Sequence, residues 1–201
     1  MAISTAQIKE LREKTGAGIM DCRNTLEEAN GDMDKAVELL LEKGLSTVEE
    51  RGERETLEGL VEVYNHGGGR VGVIVEVNCE TDFVARSEPF QTLVHEIALQ
   101  IAASSPLFVK PEDIPEEVLE AEKEAARAWA IEEGKPEKIL DRIVEGRIKK
   151  FVDENSLYRQ PYIRDDELTV EQLLLRNIAA IGENVVIRRF ERYELGEETA
   201  E

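Results

Sequence analysis

From Val71 to Cys79 the chain alternates strictly. Val71, Val73, Val75, Val77 and Cys79 fall on one side, and Gly72, Ile74, Glu76 and Asn78 on the other. A period of two, with β-branched residues on one side, predicts a half-buried strand. Leu60 to Tyr64 predicts a partner strand, and Asn65-His66-Gly67-Gly68-Gly69 between them a hairpin turn. Beyond the second strand, Thr81 predicts the cap of a short helical turn. Ser87 and Pro89 predict the start of a long helix from about Glu88 to Ala103. Its Phe90, Leu93, Val94, Ile97 and Ile101 recur at helical spacing and face inward. His95 lies off that stripe and reads as a surface residue, and Pro106 ends the run.

The rest of the chain carries the helical period. Residues 4 to 44 predict three short helices. Ser4 and Gln7 form a capping-box pattern, and Ile8 and Leu11 start an apolar stripe that Thr15-Gly16-Ala17-Gly18 breaks. The second helix runs from about Ile19 to Ala29. The third is capped by Asp32, turns Ala36, Leu39 and Leu40 inward, and closes at Gly44 in the C′ position. Residues 45 to 57, with Glu49, Glu50, Arg51, Glu53, Arg54 and Glu55, predict a solvated, partly helical connector. In the core, residues 58 to 201, helices at about 115–133 and 136–155 predict an antiparallel pair with Trp129 between them. Leu157 to Arg164 is irregular or a short strand. Thr169 to Ile181 is a last amphipathic helix, and Val185 to Tyr193 a third antiparallel strand. The predicted class is α+β, a three-helix module followed by a three-stranded sheet backed by helices.

Charge and composition narrow the function. The 201 residues carry a formal net charge of −19, which repels phosphate backbones and argues against direct nucleic-acid binding. No apolar run is long enough to span a bilayer, and the amino terminus lacks a basic-then-apolar signal. Cys22 and Cys79 are too few and too far apart for a disulfide framework or a zinc site, so a reducing cytoplasm is expected. No HExxH, Gly-x-Ser-x-Gly or Cys-His ligand spacing appears. The Gly67-Gly68-Gly69 run lacks the Gly-Lys-Ser/Thr ending of a phosphate loop. Cys79 alternates with buried valines and reads as a packed thiol. The chain is therefore expected not to be an enzyme, and to hold no cofactor and no metal.

What remains is the corner after the strand, Thr81-Asp82-Phe83-Val84. On the residues alone Phe83 is either a core aromatic or a side chain presented to another molecule. Ile19 and Met20, just after the glycine-rich break, are open to the same two readings.

Three blocks change the balance: Leu11-Arg12-Glu13-Lys14-Thr15-Gly16-Ala17-Gly18-Ile19-Met20-Asp21-Cys22, Val77 to Arg86, and Ile181-Gly182-Glu183-Asn184-Val185-Val186-Ile187-Arg188-Arg189-Phe190. In that order they resemble the elongation factor Ts family. The resemblance implies a guanine-nucleotide exchange factor for elongation factor Tu in translation elongation. It implies that residues 1–44 form a ubiquitin-associated-like module that grips the partner's nucleotide-binding domain through Arg12, Ile19 and Met20. It also implies that Thr81, Asp82, Phe83 and Val84 enter the partner beside its Mg²⁺ and phosphate site. Family members are usually richer in lysine and alanine in the connector. The chain looks like a short member with one core module, for which a homodimer joined across core sheets is expected. The competing class is a non-catalytic helical binding module or chaperone-like scaffold. That class explains the amino-terminal helices but not a carboxylate-aromatic pair at a sheet corner.

Overall fold

The computed structural model describes residues 3–15, 17–51 and 54–197. Gly16 of the predicted break and Glu53 of the connector lie outside the described residues. The elements run α1 (Thr5–Thr15), α2 (Ile19–Glu28), α3 (Met33–Arg51), β1 (Glu58–His66), β2 (Val71–Cys79), α4 (Asp82–Ala85), α5 (Glu88–Ser104), α6 (Glu116–Glu132), α7 (Leu140–Asn155), β3 (Pro161–Tyr162), β4 (Asp165–Thr169), α8 (Val170–Ile181) and β5 (Val185–Glu194). The fold is α+β. The chain divides into two compact units: residues 1–103 with 171–201, and residues 104–170.

In the first unit β2 is the central strand, with β1 and β5 antiparallel on either side. Val73, Val75, Val77 and Cys79 are fully buried, as the alternation requires. Glu62 and Tyr64 pair with Val75 and Val73, so they share that face. There His95 of α5 meets the Glu62 carboxylate at 3.1 Å and the Tyr64 ring edge-on. α5 therefore lies over the buried face. Its Phe90, Val94, Ile97 and Ile101 are buried. The opposite face is bare: Val61, Val63, Ile74 and Tyr193 are exposed. The hairpin turns through Gly67, Gly68 and Gly69, all at positive φ, a conformation costly for other residues.

The amino-terminal helices enclose their own core of Leu11, Ala17, Cys22, Leu26, Ala29, Ala36 and Leu40. Ser4 and Gln7 make the predicted reciprocal cap. Gly44 does not end the third helix. α3 continues to Arg51, and Gly44 lies buried within it. A Cβ there would stand 2.3 Å from the backbone oxygen of Leu175, so the glycine permits α3 and α8 to touch. Ala180 of α8 also packs on the module core.

In the second unit α6 and α7 pack as a pair, with Ala126, Ala130 and Val144 in the seam. Trp129 is not enclosed between them. It stays 37% exposed, with the Arg147 guanidinium 3.7 Å over its ring. The segment after α7 forms a short helical turn and the β3–β4 ribbon. Buried Gln160 fastens it by donating to the carbonyls of Ser104 and Glu154.

Candidate functional site

The ladders on both sides of β2 end at Cys79. Thr81 is thus the second residue past the sheet, in extended backbone at φ −129° and ψ 153°. It caps α4, its Oγ accepting the Val84 N–H at 3.4 Å. The same hydroxyl donates to Glu183 Oε1 at 2.8 Å, and the Thr81 N–H donates to Glu183 Oε2 at 3.1 Å. The Thr81 carbonyl accepts from the Cys79 thiol at 3.2 Å and from the Ala85 N–H at 3.2 Å. Every polar group of Thr81 is therefore engaged.

A second carboxylate answers the first in reverse. Glu80 Oε1 accepts the Asn184 N–H at 2.9 Å, while Glu80 Oε2 lies 3.0 Å from Arg54 Nη1. Glu183 and Asn184 follow Gly182, which sits at φ 78° and ends α8 by donating to the Ile178 carbonyl. Two loops far apart in sequence are thus laced by each other's side chains. Burial pushes the Cys79 thiol up to about 11, with the Glu183 charge as a further cause. It remains a neutral donor at ordinary pH.

On this base stands the corner itself. Phe83 is 84% exposed, which rejects the core reading. Asp82 opens α4 and pairs with Arg86 at 3.1 Å, while Val84 is half-buried behind it. A large aromatic held in water by a fixed backbone is open to contact with another molecule. The structure brings Thr81, Asp82, Phe83 and Val84 together on one rigid turn.

A second patch lies on the amino-terminal module. Ile19 and Met20 begin α2 and are 56% and 62% exposed, while Leu11, Cys22 and Leu26 turn inward. Arg12 is also exposed, on α1. Their exposure rejects the core reading of Ile19 and Met20.

The sequence reading named the tip but missed Glu80, Glu183, Asn184 and Arg54. Glu183 and Asn184 stand in the third block quoted above, yet no spacing rule joins a carboxylate to a threonine 102 residues earlier. Among the described residues no group of three or more potential ligands could hold a metal ion, and no helix is long and apolar enough to cross a membrane.

Comparison with known proteins shows the family. The family described as Elongation factor TS matches residues 7–197. Elongation factor Ts of Caldanaerobacter subterraneus subsp. tengcongensis is 60% identical over 195 residues, covering 97% of this chain and 98% of its own length. The Moorella thermoacetica protein of the same name is 56% identical, covering 97% and 96%. That of Thermoanaerobacter sp. strain X514 is 57% identical with the same coverage.

Proposed function

Because the chain belongs to the elongation factor Ts family and so is a translation elongation factor, we propose that it is the guanine-nucleotide exchange factor of elongation factor Tu. It acts in the cytoplasm by binding alone, makes and breaks no covalent bond, and holds no nucleotide or metal of its own. The observation that supports this reading most is Phe83, an exposed aromatic on a base where each polar group of Thr81 is fixed.

The proposed mechanism uses both patches. Arg12, Ile19 and Met20 anchor the GDP-bound partner, and the tip enters beside its phosphates. A GTPase holds GDP through phosphate-loop amides and a Mg²⁺ ion that tolerates little distortion of its octahedral shell. Phe83 wedges between partner side chains, and the Asp82 carboxylate disturbs the outer shell of that metal. A rigid tip suits this work, because a mobile one would yield before the partner did. The coupling is reciprocal: the factor weakens GDP binding by the factor by which GDP weakens its own. GTP then displaces it. A second copy of the chain covers the bare sheet face of Val61, Val63, Ile74 and Tyr193, giving a homodimer through core sheets.

Release of a fluorescent GDP analogue from elongation factor Tu tests the reading. Phe83→Ala should leave the melting temperature unchanged, since the ring is exposed. A central aromatic contact is worth roughly 2–4 kcal/mol, so exchange should fall about tenfold or more. Asp82→Ala should slow release at saturating Mg²⁺ and matter less once the metal is chelated. Met20→Asp should raise the concentration needed for half-maximal exchange. Undiminished exchange by both tip variants would overturn the mechanism. A point change is the sharper probe of the anchor, because a cut after residue 44 falls inside α3 and bares α8.

A further inference from the structure

We infer that Glu183 is the positioning residue of the exchange tip, setting the direction of Asp82 and Phe83 through its two hydrogen bonds to Thr81. The inference rests on the exchange reading above and extends it to a residue outside the tip.

Past Cys79 the backbone has no ladder partner, so the part-buried Thr81 N–H needs another acceptor. Glu183 Oε2 is that acceptor, at 3.1 Å. The Thr81 hydroxyl has one proton. Capping α4 requires an oxygen lone pair toward the Val84 N–H, so the proton must point elsewhere. Glu183 Oε1, at 2.8 Å, takes it and thereby fixes the rotor in the capping orientation. One carboxylate thus sets both the backbone direction into α4 and its cap. α4 spans only Asp82–Ala85, too short to hold its own geometry. The reverse bond from Asn184 to Glu80, backed by Arg54, keeps the Glu183 loop from swinging away.

Glutamine at 183 keeps shape but has one acceptor oxygen for two donors: with that oxygen on the Thr81 N–H, its amide donates to the Thr81 Oγ, and the hydroxyl proton loses the acceptor that fixed its rotor. Glu183→Gln should therefore loosen the tip without emptying any packed volume. Two readouts test it on the full chain. Without the partner, amide hydrogen exchange at Thr81 and Val84 should accelerate about tenfold or more, while Val73 to Val77 in β2 keep their protection. With elongation factor Tu, the plateau of GDP release should fall about fivefold or more. The half-saturating concentration should change less than about twofold, because Arg12, Ile19 and Met20 are untouched. A residue that merely stabilised the fold would move both parameters and the β2 amides together. Thr81→Val, which removes the hydroxyl from the other side, should lower the plateau too. Adding Glu183→Gln to it should cost less than the single change does alone.

Unchanged Thr81 and Val84 amides in Glu183→Gln would overturn the inference. So would an unchanged plateau in an assay where Phe83→Ala is defective. If the unsubstituted chain itself leaves GDP release unaltered, the exchange reading fails and the inference falls with it. That outcome is told apart because Phe83→Ala then shows no defect either.

Discussion

Cys79 holds the tip from beneath, and it can do so only while protonated. Its thiol donates to the Thr81 carbonyl at 3.2 Å, and burial raises it from 9.0 to about 11. In the unfolded chain it titrates near its ordinary value. Its contribution is therefore fully present below about pH 9 and is lost as pH rises through about 11. Urea midpoints at pH 8 and pH 10.5 should show a larger fall for the native chain than for Cys79→Ala. The comparison is needed because burial raises Cys22 as well. An equal fall in both proteins would show that Cys79 is not responsible. At this scale the sequence is legible where local pattern decides. The alternation of Val71 to Cys79 places the thiol inside, and Thr81 reads as a cap from its position alone. Whether Phe83 faces core or water is not a local property. It depends on a loop that arrives 102 residues later, which alternation and propensity do not see.

Among the elements, α3 and α8 make the contact that pattern reading misjudged. Glycine after a run of inward leucines reads as a helix end, yet Gly44 is an interior residue whose missing Cβ admits the Leu175 backbone. Gly44→Ala should raise the helical propensity of the isolated segment by up to about 1 kcal/mol. It should nevertheless destabilise the protein by roughly 1–3 kcal/mol, because the neighbour it meets is backbone and cannot swing aside. Thermal unfolding checks the sign, and a stabilised Gly44→Ala would show that the two helices separate at little cost. Trp129 is a related case. Its apolar bulk suggested the seam of the helix pair, but the small residues Ala126 and Ala130 take the seam and leave the indole under Arg147. Helical period locates a stripe; the residue sizes along it decide which members fit between axes.

For the whole molecule, charge and the bare sheet face pull in opposite directions. Val61, Val63, Ile74 and Tyr193 favour a second copy, whereas a net charge of −19 on each chain opposes its approach. Added salt screens the second effect and leaves the first. Light scattering at tens of micromolar, a range that covers weak complexes, should therefore give a dimer mass that strengthens from low to moderate salt. Val63→Glu, at a position 70% exposed, should give a folded monomer. A monomeric mass for the native chain at all salt concentrations would remove the dimer. The lacing of Thr81 to Glu183 and of Glu80 to Asn184 has a further consequence, in time rather than space. Synthesis delivers the β1–β2 hairpin and the tip about a hundred residues before their partners, a separation of 102 and 104 positions. Until β5 docks, the tip hangs on one side only, and non-local pairing of this kind forms late. A nascent or truncated chain thus carries all the tip residues and their local bonds, without the bracing from Glu183 and Asn184. Only with the loop before the last strand in place is the turn braced from both sides.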